Sequence, residues 1–336
     1  MDKIAIIRLS SLGDIILTES VTRSLKDNFP NSEITFISRE SYRPVLEMFP
    51  AIDKLELLQI PGKHENLNEL KKHIKTISQK FDLVIDLHKN IRSRVICRKL
   101  KAHKKLSYKK FRLQRQIAVW FKTRKKYVPT AAKYMTPLEQ LKLRIEHTIP
   151  ELKVSPSQRK DAAKYLQGIN FEKNRYAILA VGASYPPKKF PLARFAEIAE
   201  LLNKKYGLKI LVVDDMDFDI SAFKSLISGG VLQTAVGLDL KLLAGLLWQS
   251  KVTVSNDSGV MHLSAALHTP TLGLFGPTHP VLGFGPCGDY SAGLSTDAFC
   301  SPCSVHGQRK CFWKKQYCFT KMPLEMIETA LKAILR

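Results

Sequence analysis

The 336-residue chain predicts an α/β protein built from two doubly wound domains. Three observations carry that expectation. Strand-length apolar runs alternate with helix-period segments from Ile4 to Leu87. A long basic stretch then interrupts the alternation. It starts again at Arg175 and runs to the C-terminus. Strand–helix–strand units of this kind build parallel sheets with helices on both faces.

In the first half, "IAIIRLSSLGDIILTESV" (residues 4–21) reads as a strand over Ile4–Leu9 and a tight loop over Ser10–Gly13. A helix follows from Asp14 to Asn28, ended by the turn residues of "FPNSE". Further strands are expected over Ile34–Ser38, Lys54–Leu58 and Leu83–Leu87. "SYRPVLEMFP" suggests a short helix closed near Pro50, and "ENLNELKKHIKTISQKF" has helical apolar spacing.

The interruption is electrostatic. Between Leu87 and Leu138 there are seventeen Lys and Arg and no Asp or Glu, against a net charge of +23 for the whole chain. Such a field calls for an anionic partner: nucleic acid, an acidic membrane face or a polyanionic substrate. "VICRKL" and "FRLQRQIAVWF" carry apolar residues at helical spacing among the cations, as helices lying on anionic lipid do. No recognised nucleic-acid motif accompanies the charge.

The second half restarts with a strand in "RYAILAVGAS" and a helix in "PLARFAEIAELLNKKYG", ending at Gly207. A strand ("LKILVV"), a helix ("LKLLAGLLWQS"), a strand ("KVTVSN"), a helix ("GVMHLSAALH") and a strand ("PTLGLFGP") follow, and the last helix spans about Pro323–Leu335. The boundary is expected within 155–172, dividing the chain into 1–160 and 161–336. A composition 45% hydrophobic and 25% charged supports real cores and excludes wholesale disorder. No apolar run approaches the ~20 residues of a membrane span. No signal-peptide pattern precedes the first strand, so a cytoplasmic protein is expected.

Two loops invite anion chemistry. "SNDSGVMHLSAAL" (Ser255–Leu267) ends a strand and opens a helix, so Ser258, Gly259 and the next amides are placed to hold a pyrophosphate. Asp257 is placed to accept from sugar hydroxyls, and His262 lies on the first turn. The same residues also suit an ordinary N-cap. "VGASYPPKKFP" follows a strand and offers a hydroxyl and the ammonium groups of Lys188 and Lys189. "GLFGPTHP" ends a strand at the sheet edge where α/β proteins bind ligands. "DDMDFD" (Asp214–Asp219) invites a divalent cation beside a diphosphate. If phosphates bind the second half, Asp14 can serve as a general base, with Ser10, Ser11 and Gly13 admitting a substrate close to the backbone. A helix cap is the other use of Asp14. A dinucleotide-dependent dehydrogenase is not expected, because "RLSSLGD" lacks the Gly-x-Gly-x-x-Gly pattern.

"SSLGDIILTESV", "DLHKNIRS", "GASYPPKKFP", "SNDSGVMHLSAALHTPTLGLFGPTHP" and the late cysteines, in this order, resemble the ADP-heptose:lipopolysaccharide heptosyltransferases of glycosyltransferase family nine. The resemblance implies a GT-B fold, with an acceptor-binding and a nucleotide-sugar-binding Rossmann-like domain facing across a cleft and a C-terminal helix packing back on the N-terminal domain. It implies inverting transfer of a heptose from ADP-heptose to a Kdo–lipid A or heptosyl-Kdo–lipid A acceptor at the inner membrane face, with no cofactor required for catalysis. Asp14 then resembles the base. Lys188 and Ser184 resemble diphosphate contacts, Asp257 the grip on the donor sugar, and Ser258, Gly259 and His262 the rest of the donor loop. Ser10, Ser11, Gly13 and Arg92 fall on the acceptor side. Phe190 stands where the family often has Trp, and "DDMDFD" is unusually acidic. Another nucleotide sugar serving a surface glycan, and plain polyanion binding, are the alternatives; nucleic acid is not expected as a partner.

Cys300, Cys303, Cys311 and Cys318 form a C-x2-C-x7-C-x6-C cluster. Reduced thiols or a redox-sensitive pair is one reading. A structural site in which all four cysteines hold zinc or iron is the other, since a reducing compartment disfavours disulfides and four thiolates suit either metal.

Overall fold

A computed structural model describes residues 1–110 and 112–335. They form two compact units: residues 1–110 with 130–153, and residues 112–129 with 154–335. Phe111, the first residue of the expected basic helix, lies outside the described residues.

The first unit holds β1 (Lys3–Ile7), β2 (Glu33–Arg39), β3 (Lys54–Leu58), β4 (Lys80–Asp86) and β5 (Lys101–Ser107) in the order β3-β2-β1-β4-β5. The second holds β6 (Tyr176–Ala180), β7 (Lys209–Asp214), β8 (Leu232–Val236), β9 (Val252–Asn256), β10 (Thr271–Leu274) and β11 (Ser291–Leu294) in the order β11-β10-β9-β6-β7-β8. Every pairing is parallel. Helices cover both faces, so the central strands are buried on both sides. All five residues of β6 and of β9 are buried. Each sheet reverses its winding once, between β1 and β4 and between β6 and β9. Loops leaving the carboxyl ends of those strands diverge and open a crevice, the usual ligand position in such sheets.

Local chemistry accounts for the departures from expectation. The helix expected over Asp14–Asn28 is two helices, Leu12–Ile16 and Glu19–Asn28. Both the amide and the hydroxyl of Thr18 donate to the Ile15 carbonyl, at 2.9 and 2.6 Å, which ends the first helix. β5 was hidden inside the basic stretch because "KAHKKLS" carries little apolar signal. It is an edge strand, where exposed lysines oppose pairing with another chain. Inside the expected boundary region, a helix spans Pro156–Gly168, started by a reciprocal Ser155/Gln158 capping box and packed on the helix Leu240–Gln249. The C-terminal helix, expected to pack back on the N-terminal domain, spans Leu324–Ile334 and packs within the second unit. Its Ile327, Leu331 and Ile334 are buried in the second unit's own core with Phe319 and Leu274. Among the described residues no helix is long and apolar enough to cross a membrane.

The chain returns to the first unit through a buried charge. Glu19 is fully buried and accepts from the Glu151 amide at 2.7 Å. Arg23 bridges Glu19 at 3.1 Å, Glu151 at 2.6 Å and the Ile149 carbonyl at 2.7 Å. Burial pushes the Glu19 carboxyl up to about 7, against the lowering effect of the Glu151 amide and Arg23. The native state therefore holds a proton that the unfolded chain releases near 4.5. That stabilisation is complete below pH 4.5 and is lost as pH rises through about 7, a difference on the order of 3 kcal/mol. Glu19→Gln removes this dependence. The stability of the unchanged protein relative to Glu19→Gln is expected to fall between about pH 5 and pH 8, read by urea unfolding. A difference independent of pH contradicts the assignment. His88 and His279, held below the usual histidine range, slope the other way but are common to both proteins and cancel.

Candidate active site

β1 delivers the cluster around Asp14. Arg8 follows the strand and is 5% exposed. Its Nη1 donates to the Leu87 carbonyl at 2.6 Å, and Nη2 lies 2.6 Å from Asp14 Oδ2. Ser11 Oγ donates to the same oxygen at 3.1 Å, and the Tyr134 hydroxyl donates to Oδ1 at 2.7 Å. Tyr134 lies edge-on to Tyr108, 5.0 Å between centroids, and faces the Arg8 guanidinium at 5.2 Å. Burial pushes the Tyr134 hydroxyl well above its ordinary value, so it stays protonated and donates. Burial opposes the Arg8 charge, but Asp14 and the two tyrosines outweigh it.

Asp14 is therefore not spent as the helix cap. Ser11 is the N-cap of the helix Leu12–Ile16, and the Asp14 carboxylate is directed at Arg8, Ser11 and Tyr134. Its side chain is 30% exposed. A carboxylate oriented on both oxygens and open to solvent can take a proton from a hydroxyl placed against it. Of the other acceptor-side candidates, Ser11 is exposed, Ser10 half-buried and Gly13 buried. Arg92 opens the helix Ile91–Lys99 and donates to the Glu65 carbonyl at 3.2 Å. The "DLHKNIRS" turn is shaped by Asp86, whose carboxylate accepts from the amides of His88 and Lys89 and from Ser93 Oγ at 2.9, 2.7 and 2.9 Å. Burial, then Arg8 and Lys110, hold His88 down at about 3, so it is neutral.

In the second unit, the cluster around Lys188 and Asp257 stands at the β6/β9 switch. Lys188, on a short 3-10 turn, lies 2.9 Å from Asp257 Oδ2, and both side chains are about nine-tenths buried. Thr278 Oγ1 donates to the same oxygen at 2.7 Å. Asn256, fully buried, ties the loops together: Nδ2 donates to the Val181 carbonyl at 2.7 Å, and Oδ1 accepts from the Phe190 amide at 2.9 Å. Phe190 packs edge-on between Phe195 and Phe319, so the position expected to differ from Trp is a core anchor for the lysine loop. Ser258 is the N-cap of the helix Gly259–Ala266 without bonding that helix's amides; its hydroxyl pairs with Ser255 Oγ at 3.1 Å. The helix N-terminus thus keeps its positive end for an anion. His262 is buried one turn in, and Ser184 is exposed on the lysine loop.

The acidic loop does not build a cation site. Asp214 Oδ1 accepts from the amides of Asp215 and Met216, and Oδ2 faces Lys189 at 3.5 Å. Asp219 caps the next turn through Ser221. Gly182 is required here, since a Cβ would lie 2.5 Å from Asp214 Oδ1. The four clustered cysteines are free thiols. Burial, then Cys303, Cys300 and Cys311, push the Cys318 thiol up to about 12. Among the described residues no group of three or more His, Cys, Asp or Glu is arranged to hold a metal.

Arg8, Tyr134, Asn256 and Thr278 escaped the sequence reading. Arg8 carried a signal, as a lone cation inside the apolar run "IAIIRLSS".

Residues 70–313 match the model of "Glycosyltransferase family 9 (heptosyltransferase)". The chain is 26% identical to lipooligosaccharide heptosyltransferase 2 of Haemophilus ducreyi over 83% of this chain and 84% of that protein. Its fold is similar to that of a family 9 glycosyl transferase from Veillonella parvula, with a TM-score of 0.79, 23% identity, and 99% and 97% of the two chains covered. It is also similar to E. coli heptosyltransferase WaaC with ADP, at a TM-score of 0.67 and 18% identity over 98% and 99% of the chains. The family match spans most of the chain and takes in Lys188, Asn256, Asp257 and Thr278, and with the two-sheet GT-B-like architecture it decides the assignment: the chain belongs to glycosyltransferase family 9 and is a glycosyltransferase.

Proposed function

We propose that the enzyme transfers L-glycero-D-manno-heptose from ADP-heptose to the lipopolysaccharide inner core, with Kdo–lipid A or heptosyl-Kdo–lipid A as acceptor. The observation that carries this reading is the buried Lys188–Asp257–Thr278 cluster beside a helix N-terminus that no side chain caps. A diphosphate needs a cation and convergent amides, and a sugar needs a fixed acceptor oxygen; this cluster supplies both kinds. Asp14 takes the proton of the acceptor hydroxyl as its oxygen bonds the anomeric carbon. The bond from that carbon to the diphosphate oxygen breaks on the opposite face, and ADP leaves with the configuration inverted. Lys188, Ser184 and the amides from Ser258 onward hold the leaving charge, with Gly259 and His262 shaping that loop. Ser10, Ser11, Gly13 and Arg92 line the acceptor side. Titrating ADP into the protein in EDTA, by calorimetry, tests the donor half: binding supports it, and no binding at millimolar ADP contradicts it.

The acceptor's setting follows from the basic stretch. In the helix Arg112–Phe121, Ala118 and Val119 are buried against Leu282, while Leu113, Trp120 and Phe121 are 68, 60 and 73% exposed. Charge without interleaved carboxylates beside exposed apolar side chains suits an anionic lipid surface, so we place the enzyme in the cytoplasm, peripheral to the inner membrane. Replacing Trp120 and Phe121 with Ser is expected to lower binding to phosphatidylglycerol-containing vesicles by about tenfold or more, with ADP affinity unchanged. Equal vesicle binding by the two proteins contradicts this placement.

Cys300, Cys303, Cys311 and Cys318 are the residues that would hold a structural zinc or iron ion, on the strength of their donor set. Metal analysis of the purified protein decides: one equivalent released by thiol modification supports the site, and a metal-free, fully folded protein contradicts it.

A further inference from the structure

Gly307 lies in the cysteine-bearing segment, midway between Cys303 and Cys311, where the proposed reaction uses nothing. The fold brings it against Lys188. A Cβ at Gly307 would overlap Lys188 Cγ and Cδ, so the lysine stem lies directly on the glycine Cα. The backbone there has φ +79°, which favours glycine independently.

The turn carrying Gly307 is tied to both loops of the donor half-site. The Gly307 amide donates to Ser304 Oγ at 2.9 Å. The amides of Cys303 and Ser304 donate to the Pro277 carbonyl at 3.0 and 3.1 Å, one residue before Thr278. Gln308 Nε2 donates to the Tyr185 hydroxyl at 2.9 Å, on the lysine loop. A lysine is a point charge on a flexible stem, so its direction has to be imposed from outside. Asp257 holds the ammonium end, and Gly307 leaves one channel for the stem.

We propose that Gly307 is a positioning residue for the Lys188 ammonium: its bare Cα lets the lysine stem lie flat and reach the diphosphate. This role rests on the donor reading above. Neither Gly307 nor its turn touches the substrate in this account; both act through Lys188.

A double-mutant cycle tests it, with ADP affinity measured by calorimetry for the unsubstituted protein, Gly307→Ala, Lys188→Ala and the double variant. Gly307→Ala is expected to weaken ADP about tenfold, the scale of removing one charge-assisted hydrogen bond. In the Lys188→Ala background the same change is expected to do nothing further, because the stem it would strike is gone. Backbone strain from alanine at positive φ is common to both backgrounds and cancels. Gln308→Ala leaves the glycine in place and releases Tyr185; about a threefold weakening is expected, again only when Lys188 is present. Losses equal in the two backgrounds, or no loss with Lys188 present, overturn the role while leaving the donor reading intact. Failure of the unsubstituted protein to bind ADP overturns both.

Discussion

Asp14→Asn is expected to lower kcat by about 10²–10⁴-fold, the range attributed to a positioned general base, with ADP affinity held within about twofold. The reasons lie in the geometry. Asparagine keeps the size of the side chain and still offers Oδ1 to Tyr134, but it cannot take the acceptor's proton. The proposed ADP contacts come from other residues, so donor binding is the internal control. The substitution also leaves Arg8, 5% exposed, without its carboxylate. A buried charge stripped of its partner destabilises, so the first unit is expected to unfold earlier, and the assay belongs well below that transition. Tyr134→Phe separates base from orientation: it removes one bond to Oδ1 and should cost about tenfold in kcat. A fully active Asp14→Asn enzyme would remove Asp14 from the chemistry.

Lys188→Ala has the second large effect. The ammonium is about nine-tenths buried beside Asp257, and its loss would remove the cation that the proposed mechanism sets against the leaving diphosphate, leaving the Asp257 carboxylate with its Thr278 hydrogen bond but without its ammonium partner. A fall of about 10²–10³-fold in kcat/KM is expected, the scale of losing one preorganised charge-stabilising donor. Lys189→Ala is the matched control. Lys189 is 41% exposed and faces Asp214 at 3.5 Å, so its loss should change kcat/KM by no more than about threefold. Equal losses at the two adjacent positions would deny Lys188 its special place.

Much of this architecture is legible in the residues. Continuous apolar runs announce β1, β4 and β6, because strands buried on both faces favour them; β9, the fourth strand at the switch points, is equally buried but carries Thr253, Ser255 and Asn256 among its five residues. Asp14, Lys188 and Asp257 stand at the ends of such strands, where position alone marks them for chemistry. Other features were not legible, for physical reasons. β5 is an exposed edge and has no apolar face to display. Tyr134 reaches Asp14 across 120 residues, an interaction no local pattern encodes. Residues 112–129 group with the second unit, where Ala118 and Val119 bury against Leu282, although the expected division at 160 put them in the first. The helix Pro156–Gly168 did carry a signal, Ser155-Pro-x-Gln158, which reads as a helix start inside the supposed linker.

Transfer of a heptose from ADP-heptose is the activity we propose for this enzyme. The most direct test is ADP release from ADP-heptose, in EDTA, with and without Kdo₂–lipid A in anionic vesicles. Heptose transfer gives release that depends on the acceptor and a lipid product heavier by one heptose. Donor bound with no transfer to Kdo₂–lipid A, nor to the same acceptor already carrying one heptose, would contradict it.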